Sequence, residues 1–225
     1  YEISECLVGS EMCIRDRKGG VPIMIKRELY MNRIRPFIGG ELIKVMTGIR
    51  RSGKSVMLEL IKEELAEAGV APSQMISINF EDMRYSHLQT ATALHDEIIK
   101  RAEGIEGKAY LFFDEIQEVE GWEKCVNSLR VALDCDIYIT GSNAKLLSGE
   151  LATYIGGRYV EFVIYPFSFA EFLELYHTIA PSDSIQQCFQ KYLLAGGMPY
   201  LANLRYEEEP SRQYLTDLFL SLIHI

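Results

Sequence analysis

The chain is poor in the residues that mark specialised classes. Five cysteines in 225 residues make an odd number, and no two form a C-x-x-C pair. A disulfide framework is therefore not expected, and free thiols in a reducing, cytoplasmic setting are. Proline occurs 7 times and tryptophan once, and no low-complexity tract or internal repeat is present, which sets aside collagen-like and disordered readings. No apolar run reaches the roughly 18 residues that a membrane span needs. Positive charge is in deficit: 23 Lys and Arg against 32 Asp and Glu give −9. Such a chain does not coat nucleic acid by bulk charge. Secretion is not indicated either, because no basic segment followed by an apolar one opens the sequence.

What remains is an ordinary globular composition, 48% hydrophobic and 24% charged, long enough to bury a substantial core. Residues 1–20 show neither helical nor strand periodicity and are expected to be an artefact or a disordered tail. Cys6 to Arg17 resembles translated sequencing-adapter read-through, as does Ser221 to Ile225, and a natural start is expected at Met24. From Leu42 onward, short apolar runs alternate with amphipathic stretches. Leu42–Thr47, Met75–Asn79, Ala109–Phe113, Ile137–Thr140 and Tyr159–Ile164 read as strands. Lys54–Ala68 and His87–Ala102 read as helices, and so does a segment with Trp122, Val126, Leu129 and Leu133 on one face. Alternation of this kind predicts an α/β fold, a parallel sheet covered by helices on both faces. After Pro166 the strands stop, and Ser168–His177, Ser184–Ala195 and Ser211–Leu222 read as helices. The expected organisation is an α/β core over 21–165 and a small helical lid region over 166–225. An apolar face from Tyr214 to Leu222 runs on without a stop signal, so a natural chain that continues further is expected.

Two motifs carry chemistry. Gly48-Ile-Arg-Arg-Ser-Gly-Lys-Ser55 fits G-x-x-x-x-G-K-S and lies between a predicted strand and a predicted helix. Glycine lets the backbone wrap around phosphate, and successive N–H groups with the helix N-terminus then face the anion. Gly48, Ile49, Arg50, Arg51, Ser52, Gly53, Lys54, Ser55 and Val56 are thus the expected nucleotide-binding residues. Lys54 would add a point charge near the β and γ phosphates, facing solvent when no nucleotide is bound. The Ser55 hydroxyl would ligate Mg²⁺. A chance match in one chain of this length is about a one-in-a-hundred event. Sixty residues on, Tyr110-Leu-Phe-Phe-Asp-Glu115 ends a buried strand in two acids, at the sheet end where ligands bind. Asp114 would hold the metal ion, and Glu115 would orient and deprotonate the attacking water.

Other residues leave two readings open. Ser142, after the Ile137–Thr140 strand, either contacts the γ-phosphate and places the water or caps the next helix. Arg50 and Arg51 either touch phosphate or pair with acids such as Glu81 or Asp82. Arg158, after two glycines, either stabilises charge in cis or in trans or makes an ordinary surface pair. Trp122 is expected in the core, and His87, His95 and His177 match no catalytic or metal pattern.

The Gly48–Ser55 loop, Asp114-Glu115-Ile116-Gln117, Thr140-Gly-Ser-Asn143, Tyr165-Pro-Phe-Ser-Phe-Ala-Glu-Phe172 and Ala195-Gly-Gly-Met-Pro-Tyr200 together resemble a family. It is that of prokaryotic AAA-type P-loop ATPases in which an AAA core precedes a C-terminal domain of unknown function. The resemblance runs from about Met24 to Leu220. It implies ATP and Mg²⁺ as cofactors, and hydrolysis as the expected activity. It also implies a sheet in which the strand ending at Thr140 lies between the loop strand and the Asp114 strand. The partner it leaves open: protein or DNA, reached through the domain missing here, with a homo-oligomer as one arrangement. Competing classes are a nucleotide switch without hydrolysis and a small-molecule kinase. The kinase fits less well, because the region after Pro166 offers only Lys191, Arg205 and Arg212 as cations.

Overall fold

Three of the five strands have no exposed face, because each is covered on both sides. The computed structural model describes residues 24–141 and 155–223. Its strands are β1 (Ile43–Thr47), β2 (Met75–Asn79), β3 (Ala109–Asp114), β4 (Cys135–Thr140) and β5 (Tyr159–Val163). All pair in parallel, in the order β2-β3-β4-β1-β5. The three inner strands β1, β3 and β4 are almost wholly buried, the pattern of a sheet packed on both faces. Edge strand β2 alternates instead, with Ile76 and Ile78 buried and Ser77 exposed. The α/β class and the position of β4 between β1 and β3 are as expected.

By contacts the chain divides into two units. The larger holds residues 28–50 and 54–164; the smaller holds residues 51–53 and 165–223, with 24–27. The linear boundary expected at residue 165 could not place residues 24–27 and 51–53, because both join the helical unit from a distance in sequence.

In the larger unit, helices α1 (Glu28–Ile34), α2 (Lys54–Glu67), α3 (Ala91–Ala102) and α4 (Trp122–Ala132) accompany the sheet. Helix α2 buries Val56, Met57, Leu58, Leu60, Ile61 and Leu65. Helices α3 and α4 add Leu94, Ile98, Trp122, Val126 and Leu129 to a core with Ile43, Val45, Leu111, Phe113, Ile137 and Ile139. Each such side chain contributes about 1.5–3 kcal/mol by leaving water. The helix expected from His87 starts later, at Ala91. Thr90 caps it by accepting from Ala93 N at 3.3 Å, and Asp82 caps a separate 3-10 turn, Met83–Leu88. Leu88 is buried all the same, which carried the apolar periodicity across the break.

One polar cluster lies inside this unit. Lys44 and Asp136, on adjacent strands, form an ion pair with both side chains fully buried. Asp136 also accepts from Tyr138 Oη at 2.7 Å and Gly39 N at 2.6 Å, and Lys44 Nζ donates to Gly40 O at 3.1 Å. Burial pushes the Lys44 amine down against the pull of Asp136. Removing one partner of such a pair typically costs about 3–5 kcal/mol.

The smaller unit contains α5 (Phe169–Ile179), α6 (Ile185–Ala195) and α7 (Glu208–Ile223). Capping boxes start α5 (Ser168 with Glu171) and α6 (Ser184 with Gln187). Helix α7 begins three residues before the expected Ser211, since Pro210 is tolerated in a first turn. Aromatic rings form the core: Phe172 lies 5.0 Å from Tyr206 and 5.2 Å from Tyr192 and Tyr176, centroid to centroid. Gly197 is required here, because a Cβ would sit 2.0 Å from Phe167 O. Cys125, Cys135 and Cys188 are free thiols, and burial pushes Cys125 up to about 12 and Cys135 to about 11. Among the described residues no helix is long and apolar enough to cross a membrane.

Candidate nucleotide-binding site

The Gly48–Ser55 loop leaves β1 after Thr47 and enters α2 at Lys54. Its backbone turns through positive φ at Gly48 (143°), Arg51 (67°) and Gly53 (96°). At the glycines this is easy. At Arg51 it costs roughly 1–2 kcal/mol, strain of the kind found where backbone geometry serves a site. The first turn of α2 has backbone N–H groups without helical acceptors, at the positive end of the helix dipole.

In the larger unit, the side chains expected to act converge at the C-terminal end of the sheet. Lys54 is 4% exposed, so the expectation that it faces solvent is corrected. Its Nζ lies 3.4 Å from Ile49 O, 3.5 Å from Gly48 O and 3.6 Å from Glu115 Oε1. The loop carbonyls and the Glu115 carboxylate hold the amine in place of solvent. Asp114 ends β3, is 7% exposed, and accepts from the Thr140 hydroxyl and from Ser55. Burial pushes its carboxyl up; the Thr140 and Ser55 hydrogen bonds pull the other way without reversing it. A cation there would favour the ionised form. Ser55 and Asp114 are already within hydrogen-bond reach of each other, so a small divalent ion could take a hydroxyl and a carboxylate ligand at once, leaving other positions for phosphate and water. The donor set thus fits Mg²⁺. Among the described residues no cluster of three or more His, Cys, Asp or Glu suggests a different metal.

Glu115 follows in a left-handed conformation (φ 54°, ψ 49°). Its N–H donates to Thr140 Oγ1 at 3.0 Å, and its Oε2 accepts from Gln117 Nε2 at 2.5 Å. Two of these partners, Gln117 and Thr140, stand within motifs whose spacing alone names no contact for them. The register Phe113↔Ile139 brings Asp114 level with Thr140, which requires knowing that β3 and β4 are neighbours. The strand order implied by the family resemblance contained that signal.

The remaining candidates lie elsewhere. Ser142 is outside the described residues. Arg50 is 3.6 Å from Glu81, both largely exposed, a pair worth little in water. In the smaller unit the Arg51 guanidinium lies 5.5 Å from the Tyr214 ring centroid, and Ser52 is fully buried. Val56 is core, so only its backbone could serve a ligand; Ile49 is 43% exposed. Arg158 precedes β5, whose Tyr159 is level with Ile43 at the start of β1. Its Nη1 donates to Asn127 Oδ1 at 2.7 Å. The loop leaves β1 at the opposite end, roughly 13–16 Å away along the strand. The cis reading of Arg158 is therefore corrected: this geometry gives it no phosphate contact within its own chain.

The AAA domain family matches residues 41–173. The chain belongs to that family. An uncharacterized protein of Haemophilus influenzae is 41% identical over 89% of the chain and 50% of its own length. A second, from Methanocaldococcus jannaschii, is 34% identical over 79% of the chain and 41% of its own length. The AAA chain thus spans half or less of these relatives. Among solved structures, Cdc6p of Pyrobaculum aerophilum aligns with TM-score 0.53 at 13% identity, covering 86% of this chain and 62% of that one. A mutant of Thermotoga maritima RuvB aligns with TM-score 0.51 at 16% identity, covering 79% and 58%. At these identities the likeness concerns the fold. Family and fold together support a nucleotide-binding, ATPase-like function for this AAA domain.

Proposed function

We propose that this AAA domain binds ATP with Mg²⁺ and hydrolyses it, using the cycle to move or switch a partner. The observation that carries this reading is the convergence of an amine, a hydroxyl, two carboxylates and Thr140 beside a helix N-terminus. Lys54, released from Glu115, would pair with the β and γ phosphate oxygens. Ser55 and Asp114 would hold the ion, which when bound neutralises charge developing between those phosphates. Glu115, free of Lys54, would accept the proton of the attacking water. Thr140 keeps both acids in place by donating to Asp114 and accepting from the Glu115 amide. The partner, protein or DNA, would be engaged through residues beyond this half of the relatives' length, and a homo-oligomer is the arrangement in which Arg158 could act in trans. One observation favours a slower nucleotide switch as second reading: both Glu115 oxygens are already engaged, by Lys54 and Gln117.

Calorimetry on Lys54→Ala tests the binding site. The variant is expected to fold and to lose most of its affinity for Mg·ATP, and unchanged affinity in a folded variant overturns the assignment. Phosphate release then separates hydrolysis from a switch, and phosphate found on an acceptor would revive the kinase reading.

A further inference from the structure

Among the described residues, Arg27 is the most deeply buried arginine that the proposed chemistry leaves unused. Its side chain has no exposed surface, and its own backbone takes a positive φ of 48°. The following partners of its guanidinium lie in the smaller unit. Nε donates to Glu171 Oε1 at 2.8 Å, and Nη2 donates to Tyr165 O at 2.8 Å, with Glu171 Oε2 at 3.4 Å and Pro166 O at 3.5 Å. Nη1 donates to Ser52 O at 3.1 Å. The guanidinium also lies 5.3 Å from the Phe167 ring centroid. Glu171 in turn accepts from Ser168 N at 2.8 Å and Ser168 Oγ at 2.9 Å at the start of α5. One cation therefore joins a carbonyl of the Gly48–Ser55 loop to the capping box of a helix more than a hundred residues away.

The Ser52 carbonyl matters because the peptide plane is rigid and trans, so its C=O and the following N–H point in opposite directions. A carbonyl held by Arg27 turns the Gly53 N–H to the other side. A phosphate-cradling loop needs its N–H donors turned toward the anion and its carbonyls turned away. Lysine would not replace this arginine, since a point charge on a flexible stem cannot serve carboxylate and carbonyls in fixed directions at once. We propose that Arg27 is a positioning residue for phosphate: it orients the Ser52–Gly53 peptide and couples nucleotide binding to the start of α5. The inference rests on ATP binding at the loop. Coupling is reciprocal, so a bound nucleotide must also steady the Arg27–Glu171 contact.

The test measures Mg·ATP affinity by calorimetry on the whole chain, wild type beside Arg27→Lys and Leu218→Ala, with each folded fraction checked by circular dichroism. Arg27→Lys is expected to weaken binding about tenfold or more, the usual scale of a lost charge-assisted hydrogen bond. Leu218→Ala truncates a buried side chain of α7, away from the loop and the start of α5, and is expected to lower the melting temperature with affinity within about threefold of wild type. Equal affinity of folded Arg27→Lys and wild type overturns the proposal, and so does an equal loss in Leu218→Ala, which would make the effect general destabilisation. A wild type that binds no Mg·ATP overturns the ATP reading itself, and this proposal with it. If Arg27→Lys does not fold, hydrogen exchange on the wild type decides. Mg·ATP is expected to protect residues 168–172 as well as the loop, and protection confined to the loop overturns the coupling.

Discussion

Thr140 Oγ1 donates to the Asp114 carboxylate and accepts the Glu115 N–H at 3.0 Å, so one hydroxyl fixes two successive acids from the neighbouring strand. Both bonds are buried or half-buried, and neither acid could supply the same constraint to the other. Thr140→Val keeps the shape and removes the hydroxyl. It is expected to cost about 1–3 kcal/mol, the scale for leaving buried polar groups without a partner. Mg·ATP turnover should fall more than Mg·ATP affinity, and Thr140→Ser should restore both. Urea unfolding and steady-state phosphate release measure the two effects. A Thr140→Val chain with wild-type stability and turnover would remove Thr140 from the site.

The two acids should separate by role. Glu115→Gln is expected to bind Mg·ATP normally and to hydrolyse it about a hundredfold or more slowly, the scale of a lost general base. Asp114→Asn should instead weaken the Mg²⁺-dependent part of binding, seen as a reduced response of affinity to Mg²⁺ concentration. If both variants hydrolyse at the wild-type rate, the catalytic carboxylates lie elsewhere.

Acid sensitivity should report Glu171. Burial alone would raise its carboxyl, but the hydrogen bond and charge of Arg27 and the Ser168 bonds outweigh it and hold the group below the ordinary value of 4.5. The unfolded chain then binds more protons than the folded one at low pH, so stability falls as pH drops below about 4.5 through the folded value. Glu171→Gln removes this contribution. The variant should be less stable than wild type at neutral pH, and the difference should shrink on acidification. Melting temperatures from pH 7 to pH 3 would show it, and a constant difference across that range would mean that Glu171 does not titrate this way.

If Arg158 serves hydrolysis, it does so across a subunit boundary, because its own loop lies at the other end of the sheet. Arg158→Ala should therefore bind Mg·ATP like wild type. Mixing it with Glu115→Gln should return some hydrolysis if neighbouring chains complete each other's sites. Full hydrolysis by Arg158→Ala alone would leave it as the partner of Asn127 and nothing more.

The sequence by itself determined the α/β class, the loop and the two acids. Those signals are local: glycine spacing dictates a backbone that wraps an anion, and apolar runs without a polar face dictate a sheet covered on both sides. The cap at Thr90 was also local, but Leu88 continued the apolar period across it and hid the break. What depends on strands or segments meeting was decided by tertiary structure alone. Thr140 gains its role because β4 lies beside β3, and Arg158 loses a cis role because parallel register sends it to the far end. Lys54 turns inward because Gly48, Ile49 and Glu115 offer oxygen atoms nearer than solvent. Lys44 and Asp136, 92 residues apart in sequence, read as ordinary charges until pairing on adjacent strands makes their burial tolerable. Arg27 is the extreme case: its guanidinium binds partners at 52, 165 and 171. No periodicity links such positions, since a side chain that bonds across the fold obeys geometry and not spacing.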